Sequence, residues 1–80
     1  MKHVYLLQSL SDPTKRYVGI TSNFGERLKQ HNTEQSTYTA KFCPWKPVVV
    51  IRFEDDKKAE RFERYLKSGS GHAFANRHFW

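Results

Sequence analysis

Apolar residues along the chain occur in short groups whose spacing distinguishes strands from helices. The stretches 3–8 and 17–21 are rich in apolar and aromatic residues, and turn-forming residues around Asp12 and Pro13 separate them. This arrangement predicts an antiparallel hairpin of two strands with a long loop. The apolar run at 48–51 does not alternate with polar residues, which predicts a third strand that is covered on both faces.

The segment after the second predicted strand has the periodicity of an amphipathic helix. Its inward face consists of Phe24, Leu28 and His31. Either Ser22 or Asn23 can cap the first free N–H groups of this helix. The helix is predicted to run to about Glu34.

A second helix is predicted over 56–68, and either Asp55 or Asp56 can cap it. Its core stripe consists of Ala59, Phe62 and Leu66. Gly69 is placed to end this helix, because glycine is common just after helix C-termini. A last short helix is predicted over 72–78.

The remaining segment, 35–46, looks irregular, because Pro44 and Pro47 interrupt regular backbone pairing. The predicted order of elements is therefore β-β-α-β-α-α. This order indicates an α+β fold with a small three-stranded, mainly antiparallel sheet flanked by helices. With 80 residues, the chain is predicted to form a single domain over 1–80.

Composition narrows the class of protein further. A single cysteine, Cys43, excludes an intramolecular disulfide framework. No apolar run approaches the roughly 18 residues that a membrane-spanning helix needs, and the N-terminal residues do not resemble a signal peptide. We therefore expect a cytoplasmic domain that has no membrane partner.

Charge gives the first indication of a partner. The chain contains 14 Lys and Arg against 8 Asp and Glu, a formal net charge of +6. A basic surface favours a polyanionic partner, most often a nucleic acid. The alternative is that the charge serves only solubility.

Two charged residues lie beside faces that are predicted to be apolar. Arg27 flanks the inward face of the first helix, and Glu63 flanks the core stripe of the second. A charge held against apolar surface is costly unless an ion pair, a metal or an anionic substrate compensates it. Structural alternatives are an i,i+4 pair of Glu63 with Lys67 and an Arg27 side chain that extends to solvent.

The hairpin and the first helix carry further candidates. Tyr5 and Tyr17 are interpreted either as core aromatic residues with hydroxyls at the rim or as functional groups. Gly19, inside a strand, indicates a bulge or a place where another backbone or a ligand approaches closely. His31 could be a general base or a buried histidine whose hydrogen bonds are satisfied.

Two short motifs stand on the predicted hairpin, namely His3-Val4-Tyr5 and Tyr17-Val18-Gly19. They resemble the Gly-Ile-Tyr and Tyr-Ile-Gly motifs of the GIY-YIG nuclease domain family. The resemblance spans essentially the whole chain and is most similar to small stand-alone members. Two departures are His3 in place of the first glycine and Ile20 where several members place a lysine.

Further positions extend the resemblance. Arg27 and His31 occupy the places of the family arginine and of its His or Tyr. Glu63 stands in a segment that resembles the family's metal-binding glutamate segment, and Asn76 lies near the place of a family asparagine. The ordered set is considerably more specific than either three-residue motif alone.

The resemblance implies hydrolysis of a DNA phosphodiester bond with one divalent ion, Mg²⁺ or Mn²⁺, held by Glu63. Tyr17 would activate the attacking water. Tyr5 and His31 would orient the Tyr17 side chain or share the proton. The choice between Tyr17 and His31 as the general base stays open, with Tyr17 favoured. Arg27 would bind a non-bridging oxygen of the phosphate.

Contacts to DNA are expected from loops and from the second motif. The residues are Lys15, Arg16, Gly19, Lys41, Lys46 and Asn76. Because the chain has no room for a separate recognition domain, DNA shape or a targeting protein partner would direct it. The alternatives are a DNA-binding or adaptor module that does not cleave, and an interaction domain that uses Phe79 and Trp80 as a docking tail.

Overall fold

The computed structural model describes residues 1–33 and 37–80. Its elements, in chain order, are β1 (Lys2–Ser9), β2 (Arg16–Thr21), α1 (Phe24–Asn32), α2 (Thr37–Ala40), β3 (Trp45–Phe53), α3 (Asp56–Leu66) and α4 (Gly69–His78). The three strands form one antiparallel sheet in the order β2-β1-β3. The predicted α+β fold and order of elements are confirmed, with α2 as an additional short helix.

The central strand β1 divides the interior into two cores because its side chains alternate between the two faces of the sheet. The apolar core consists of Val4, Leu6, Ala59, Leu66 and Ala75. The aromatic core consists of Tyr5, Leu7 and Trp45, against which the half-buried Tyr17, Phe24, Leu28 and Phe42 pack. Helices α3 and α4 therefore cover one face of β1, and α1 covers the other.

The predicted helix caps agree with the structure in part. Asn23 caps α1 by accepting a hydrogen bond from the Glu26 N–H at 3.1 Å. Asp55 caps α3 by accepting from the N–H groups of Lys57 and Lys58. The described part of α1 ends at Asn32. The predicted end of this helix, at about Glu34, lies outside the described residues.

The boundary between α3 and α4 differs from the prediction. Helix α3 ends at Leu66, and Gly69 begins α4 instead of ending α3. The Ser68 hydroxyl accepts a hydrogen bond from the Gly71 N–H, so Ser68 caps the new helix. The serine cap thus outweighs the glycine signal, and α4 begins three residues before the predicted start at His72.

The third strand is longer and more exposed than predicted. It begins at Trp45 and continues through Pro47, although the proline was expected to prevent regular pairing. Because β3 is an edge strand, it can contain a residue without an N–H, and the register shifts opposite this segment between Leu6 and Leu7. Val50 is 40% exposed, so the prediction of a strand covered on both faces was wrong.

The short helix α2 lies in the segment that was predicted to be irregular. It comprises only four residues, too few for a periodic signal. Phe79 and Trp80 are half-buried and pack against the apolar core, as core residues do and a free docking tail does not. None of the helices in the described part of the chain has the length and apolar character required to span a bilayer.

Candidate active site

A buried chain of hydrogen bonds connects β1, α1 and α2. The Tyr5 hydroxyl lies 2.9 Å from His31 Nε2, and His31 Nδ1 lies 2.9 Å from the Thr39 hydroxyl. Tyr5 is 1% exposed, and His31 and Thr39 are 0% exposed. Both ring nitrogens of His31 are therefore engaged, and the imidazole has no open position toward solvent.

Trp45 and Asn32 hold the hydrogen-bonded residues Tyr5, His31 and Thr39 in place. The Trp45 indole N–H donates to the Thr39 carbonyl at 2.8 Å, which fixes α2 to the start of β3. The Trp45 backbone N–H donates to the Asn32 side-chain oxygen at 2.7 Å, and the Asn32 amide returns a bond to the Trp45 carbonyl at 3.4 Å. The last residue of α1 is thus attached to β3.

Sequence reasoning missed Asn32, Thr39 and Trp45. None of them lies in a motif or at a spacing that marks a buried polar residue, because their partners come from other elements. Trp45 between two prolines was the nearest signal, since a buried indole N–H needs an acceptor.

Gly19 allows the two tyrosine rings to approach each other. It pairs with Tyr5 across β1 and β2. A Cβ atom at Gly19 would overlap the Tyr5 phenol and lie 2.8 Å from Cε1 of Tyr17. The close approach predicted at this glycine is therefore made by side chains of the same chain. Its predicted contact with DNA stays a prediction, and the residue itself is buried.

Tyr17 lies at the rim of the aromatic core. Its ring meets the His31 ring edge-on, with 4.8 Å between centroids, and lies 6.2 Å from the Tyr5 ring. The side chain is half-buried, whereas Tyr5 and His31 are fully buried. Tyr17 is thus the member of this aromatic group that solvent or a ligand can reach.

Arg27 lies beside both tyrosines. Its side chain is half-buried and donates to the Gln30 side-chain oxygen at 2.9 Å. Burial acts to lower the pKa of the guanidinium, but the hydroxyls of Tyr5 and Tyr17 outweigh burial, and the pKa is raised. Arg27 is therefore a fixed positive charge next to the tyrosine pair, and its head group is not simply extended into solvent.

The environment shifts the pKa values of Tyr5 and His31 in opposite directions. Burial raises the pKa of Tyr5 to about 12, although the Arg27 guanidinium acts to lower it. Burial, and then the charge of Arg27, lowers the pKa of His31 from 6.5 to about 4. At neutral pH the phenol is protonated and the imidazole is neutral, so one ring nitrogen donates a hydrogen bond and the other accepts one.

Glu63 forms the predicted i,i+4 pair. Its carboxylate lies 2.5 Å from the Lys67 ammonium, and its side chain is only 15% exposed. Burial raises the pKa of Tyr5, and the charge of Glu63 adds a small contribution in the same direction. The structural alternative for Glu63 is therefore present.

The residues present fit a divalent ion only as a site with one protein ligand. In residues 1–33 and 37–80, no three His, Cys, Asp or Glu side chains are grouped so that they could share a metal ion. Mg²⁺ commonly uses one or two carboxylates and completes its octahedron with water and substrate phosphate. The mostly buried Glu63 carboxylate fits this pattern, but a cage made of protein ligands alone does not.

The predicted DNA contacts are distributed unevenly. The Arg16 guanidinium lies 4.7 Å from the centroid of the Trp80 ring and donates to the Asn76 side-chain oxygen at 3.3 Å. These three residues border a cleft that also reaches Tyr17. Lys46 is exposed and lies in a separate groove near Trp80.

The other predicted contacts are near Phe42. The Lys15 ammonium lies 5.4 Å from the centroid of the Phe42 ring, and Lys41 is exposed next to it in the sequence. Of the two departures from the family motifs, Ile20 packs against the apolar core, away from the tyrosines. His3 is half-buried, and its Nδ1 atom has no hydrogen-bond partner in the described residues.

The fold and site define a small α+β domain in which two tyrosines, an arginine and a histidine lie together where β1, β2 and α1 meet. The family profile of the GIY-YIG catalytic domain matches residues 1–76, and the chain belongs to this family. The resemblance noted in the sequence is thus confirmed.

Three curated relatives carry the name structure-specific endonuclease subunit SLX1. The protein of Debaryomyces hansenii is 35% identical over 82 aligned residues, covering 94% of this chain and 22% of the relative. The protein of Yarrowia lipolytica is 37% identical over 71 residues, covering 80% and 25%. The protein of Candida dubliniensis is 34% identical over 82 residues, covering 94% and 27%. This chain spans less than a third of the length of these relatives.

Proposed function

We propose that this chain is the catalytic domain of a DNA endonuclease that hydrolyses a phosphodiester bond with one divalent metal ion. The observation that carries the proposal is the position of Tyr17 and Arg27 beside the buried Tyr5–His31 hydrogen bond. The family of the chain, the names of its relatives and its net charge of +6 support a DNA substrate.

Arg27 is proposed to bind the phosphate. Its raised pKa keeps the guanidinium charged at any working pH. A planar guanidinium can donate two parallel hydrogen bonds to the non-bridging oxygens and stabilise the charge that develops there. The hydrogen bond to Gln30 holds the side chain in place before substrate arrives.

Tyr17 is proposed as the group that accepts the proton of the attacking water. The alternative base, His31, is fully buried, has both nitrogens in hydrogen bonds and has a pKa of about 4. Tyr17 is half-buried and lies at the rim of the group. Tyr5 and His31 then position the Tyr17 ring through the close contacts around Gly19.

Glu63 is proposed to hold Mg²⁺ or Mn²⁺ with one carboxylate, the other ligands being water and phosphate oxygen. When bound, the ion would supply Lewis-acid stabilisation of the leaving oxygen. Lys67 now pairs with the same carboxylate, so this ion pair must open for metal to bind. The Lys67 side chain is 56% exposed, so its ammonium can move into water when the ion takes its place.

The substrate is proposed to be a branched or flapped DNA. The name of the curated relatives describes them as subunits of a structure-specific endonuclease. Because this chain spans less than a third of their length, we propose that a protein partner or a further domain directs it to its DNA. Lys15, Lys41 and Lys46 would contact phosphates without reading the base sequence.

The test is a nicking assay on supercoiled plasmid and on flapped and branched duplexes, with Mg²⁺ or Mn²⁺. The variants are Arg27→Ala, Glu63→Gln and Tyr17→Phe. Matched controls make the same changes outside the site, at Arg52, Glu60 and Tyr65. We expect losses of about 100-fold or more in the site variants, the size typical of removing one transition-state or proton-transfer group. Cleavage that persists in Glu63→Gln would contradict the assigned ligand.

A second candidate function is a DNA-binding module that does not cleave. The Lys67–Glu63 ion pair favours it, because the ammonium occupies the only carboxylate assigned to the metal. Binding without cleavage on every substrate and with either metal would establish this second function. In both cases, affinity for DNA should fall steeply between 50 and 200 mM salt, since the contacts are mainly to phosphates.

A further inference from the structure

A cleft lies beside Tyr17. Its volume is about 560 Å³. Its lining includes Arg16, Tyr17, Tyr38, Lys67, Asn76 and Trp80. Arg27 and Glu63 do not line it. The cleft therefore adjoins the proposed catalytic group and shares only Tyr17 with it.

We propose that this cleft binds one unpaired nucleotide of the DNA strand, next to the phosphate that is cleaved. The base stacks on the aromatic side chains, and its phosphate is bound by the cations at the rim. The assignment rests on the proposed function, because the position of Tyr17 relates the cleft to the reaction. A pocket of this size lies within the ordinary range for small ligands, roughly 300–1,000 Å³.

Aromatic surface is exposed where the base would stack. Tyr38 is 48% exposed. Its ring lies at a tilted angle to the rings of Tyr17 and Phe42, with centroid distances of 6.4 and 5.5 Å. Trp80, half-buried, lines the cleft from α4. Base stacking on such rings is tolerant of sequence because every base has an aromatic face.

The charge of the cleft is complementary to a nucleotide. Arg16, Lys67 and His72 line it, and none of the described lining residues is acidic. Asn76 adds a side-chain amide, which can both donate to and accept from the edge of a base. Aromatic stacking surfaces, cations and side-chain amides are the groups with which proteins bind single-stranded nucleic acids.

Arg16 shows how the cleft would exchange its contacts. Its guanidinium now covers the Trp80 ring and bonds Asn76. An entering nucleotide would replace this cation–π contact with base stacking, and the released guanidinium would pair with the phosphate. A closed duplex offers no free base face, so only an unpaired or displaced nucleotide can make this exchange.

Tryptophan fluorescence tests the proposal, because Trp80 lines the cleft whereas Trp45 is 3% exposed in the aromatic core. The protein is titrated with a thymidine tetranucleotide in EDTA, where metal-dependent cleavage cannot occur. We expect quenching that saturates in the parent and is absent in Trp80→Phe. A blunt duplex of two complementary DNA strands should not produce it, since its bases are paired and stacked on one another.

Tyr38→Ala provides a second readout that does not depend on Trp80. We expect it to weaken binding of the tetranucleotide about tenfold, the effect of removing one stacking ring. Tyr65→Ala is the matched control, since Tyr65 is 40% exposed and lies outside the cleft. Arg16→Ala should also weaken binding, and Arg52→Ala should not. Equal effects in site and control variants, or equal quenching by the blunt duplex, would overturn the proposal.

The outcome is separable from that of the nuclease assay. If the parent nicks plasmid but the tetranucleotide gives no quenching dependent on Trp80, the subsite is wrong and the nuclease assignment stands. If the tetranucleotide binds with the expected dependence on Tyr38 but no DNA is cleaved, the cleft binds an unpaired nucleotide, but the endonuclease assignment and the place of the cleft beside a cleaved phosphate fail.

Discussion

The two cores on either side of β1 are built on different principles. In the apolar core, Val4 and Leu6 meet aliphatic and aromatic side chains, with no buried hydrogen bond between side chains of this cluster in the described residues. In the aromatic core, Tyr5 meets His31 and Thr39 through directed hydrogen bonds. Adjacent residues of one strand thus serve opposite purposes, stabilisation on one face and positioning on the other.

This difference decides what a substitution removes on each side. Apolar contacts are not directional, so a change in the apolar core alters mainly the free energy of unfolding. Hydrogen bonds in a buried group require their partners, so a change in the aromatic core leaves a polar atom without one and disturbs geometry. The predictions below test this contrast, from the largest expected effect to the smallest.

The largest effect is expected at Gly71, where α4 meets α3. A Cβ atom there would overlap the Tyr65 backbone carbonyl, and no side-chain rotation can relieve a conflict with backbone. Gly71→Ala should lower the free energy of unfolding by more than about 3 kcal/mol, at or beyond the usual range for overpacking. Urea denaturation measures it. Gly69→Ala is the control, because a Cβ atom there would meet nothing within 4 Å.

A second comparison uses neighbours on β1. Leu6→Ala, in the apolar core, should cost about 3 kcal/mol of stability, as large-to-small changes in a packed core do. Tyr5→Phe, in the aromatic core, should cost about 1–2 kcal/mol, because it leaves His31 Nε2 without a partner. Urea denaturation measures the loss of stability in each variant, and nicking assays measure the loss of cleavage. It fails if Leu6→Ala, assayed where it is still folded, loses more cleavage activity than Tyr5→Phe.

Substitutions at Thr39 test the buried hydrogen bond to His31 separately from apolar packing. Thr39→Val keeps the shape but removes the hydroxyl beside His31 Nδ1, so stability should fall by about 1–2 kcal/mol. Thr39→Ser keeps the hydroxyl and should retain most of the stability. Thermal denaturation of the two variants side by side measures the difference. Equal losses would show that methyl packing, and not the hydrogen bond, is what Thr39 contributes.

The smallest effect is the change in stability between pH 7 and pH 6, where the titration of His31 contributes about 0.7 kcal/mol. The folded protein holds the pKa of His31 at about 4, against 6.5 for an ordinary histidine. Between these values the unfolded chain binds more protons, so the His31 contribution is complete above pH 6.5 and is lost as pH falls toward 4. Comparing unfolding of the parent and His31→Gln across this window isolates it. A difference between them that does not change with pH would contradict the buried, neutral imidazole.

Much of the fold was predictable because local pattern and tertiary position agree in β1, β2 and α3. Where the local pattern predicted the wrong structure, contacts with a neighbouring element determined the structure that forms. Pro47 is accommodated because β3 lies at an edge, and α2 forms because Trp45 holds the Thr39 carbonyl. Neither relation is visible in a local window of sequence.

The candidate site divides in the same way. Tyr17 and Arg27 could be singled out because the motif spacing and the flank of a predicted helix mark them. Thr39 and Asn32 could not, since their importance comes from partners that are distant in the chain. The predicted residues are those expected to touch substrate, and the missed ones hold them in position.

The place of β1 in the sheet also governs how the molecule assembles. The central strand comes first in the chain, and Tyr5 pairs with Val50 only after α1 and α2 have been passed. Closing that long loop is an entropic barrier that local helix formation does not lower. The same closure brings Trp45 to Thr39 and Asn32. On the ribosome, the buried hydrogen-bonded group could therefore assemble only after the third strand emerges.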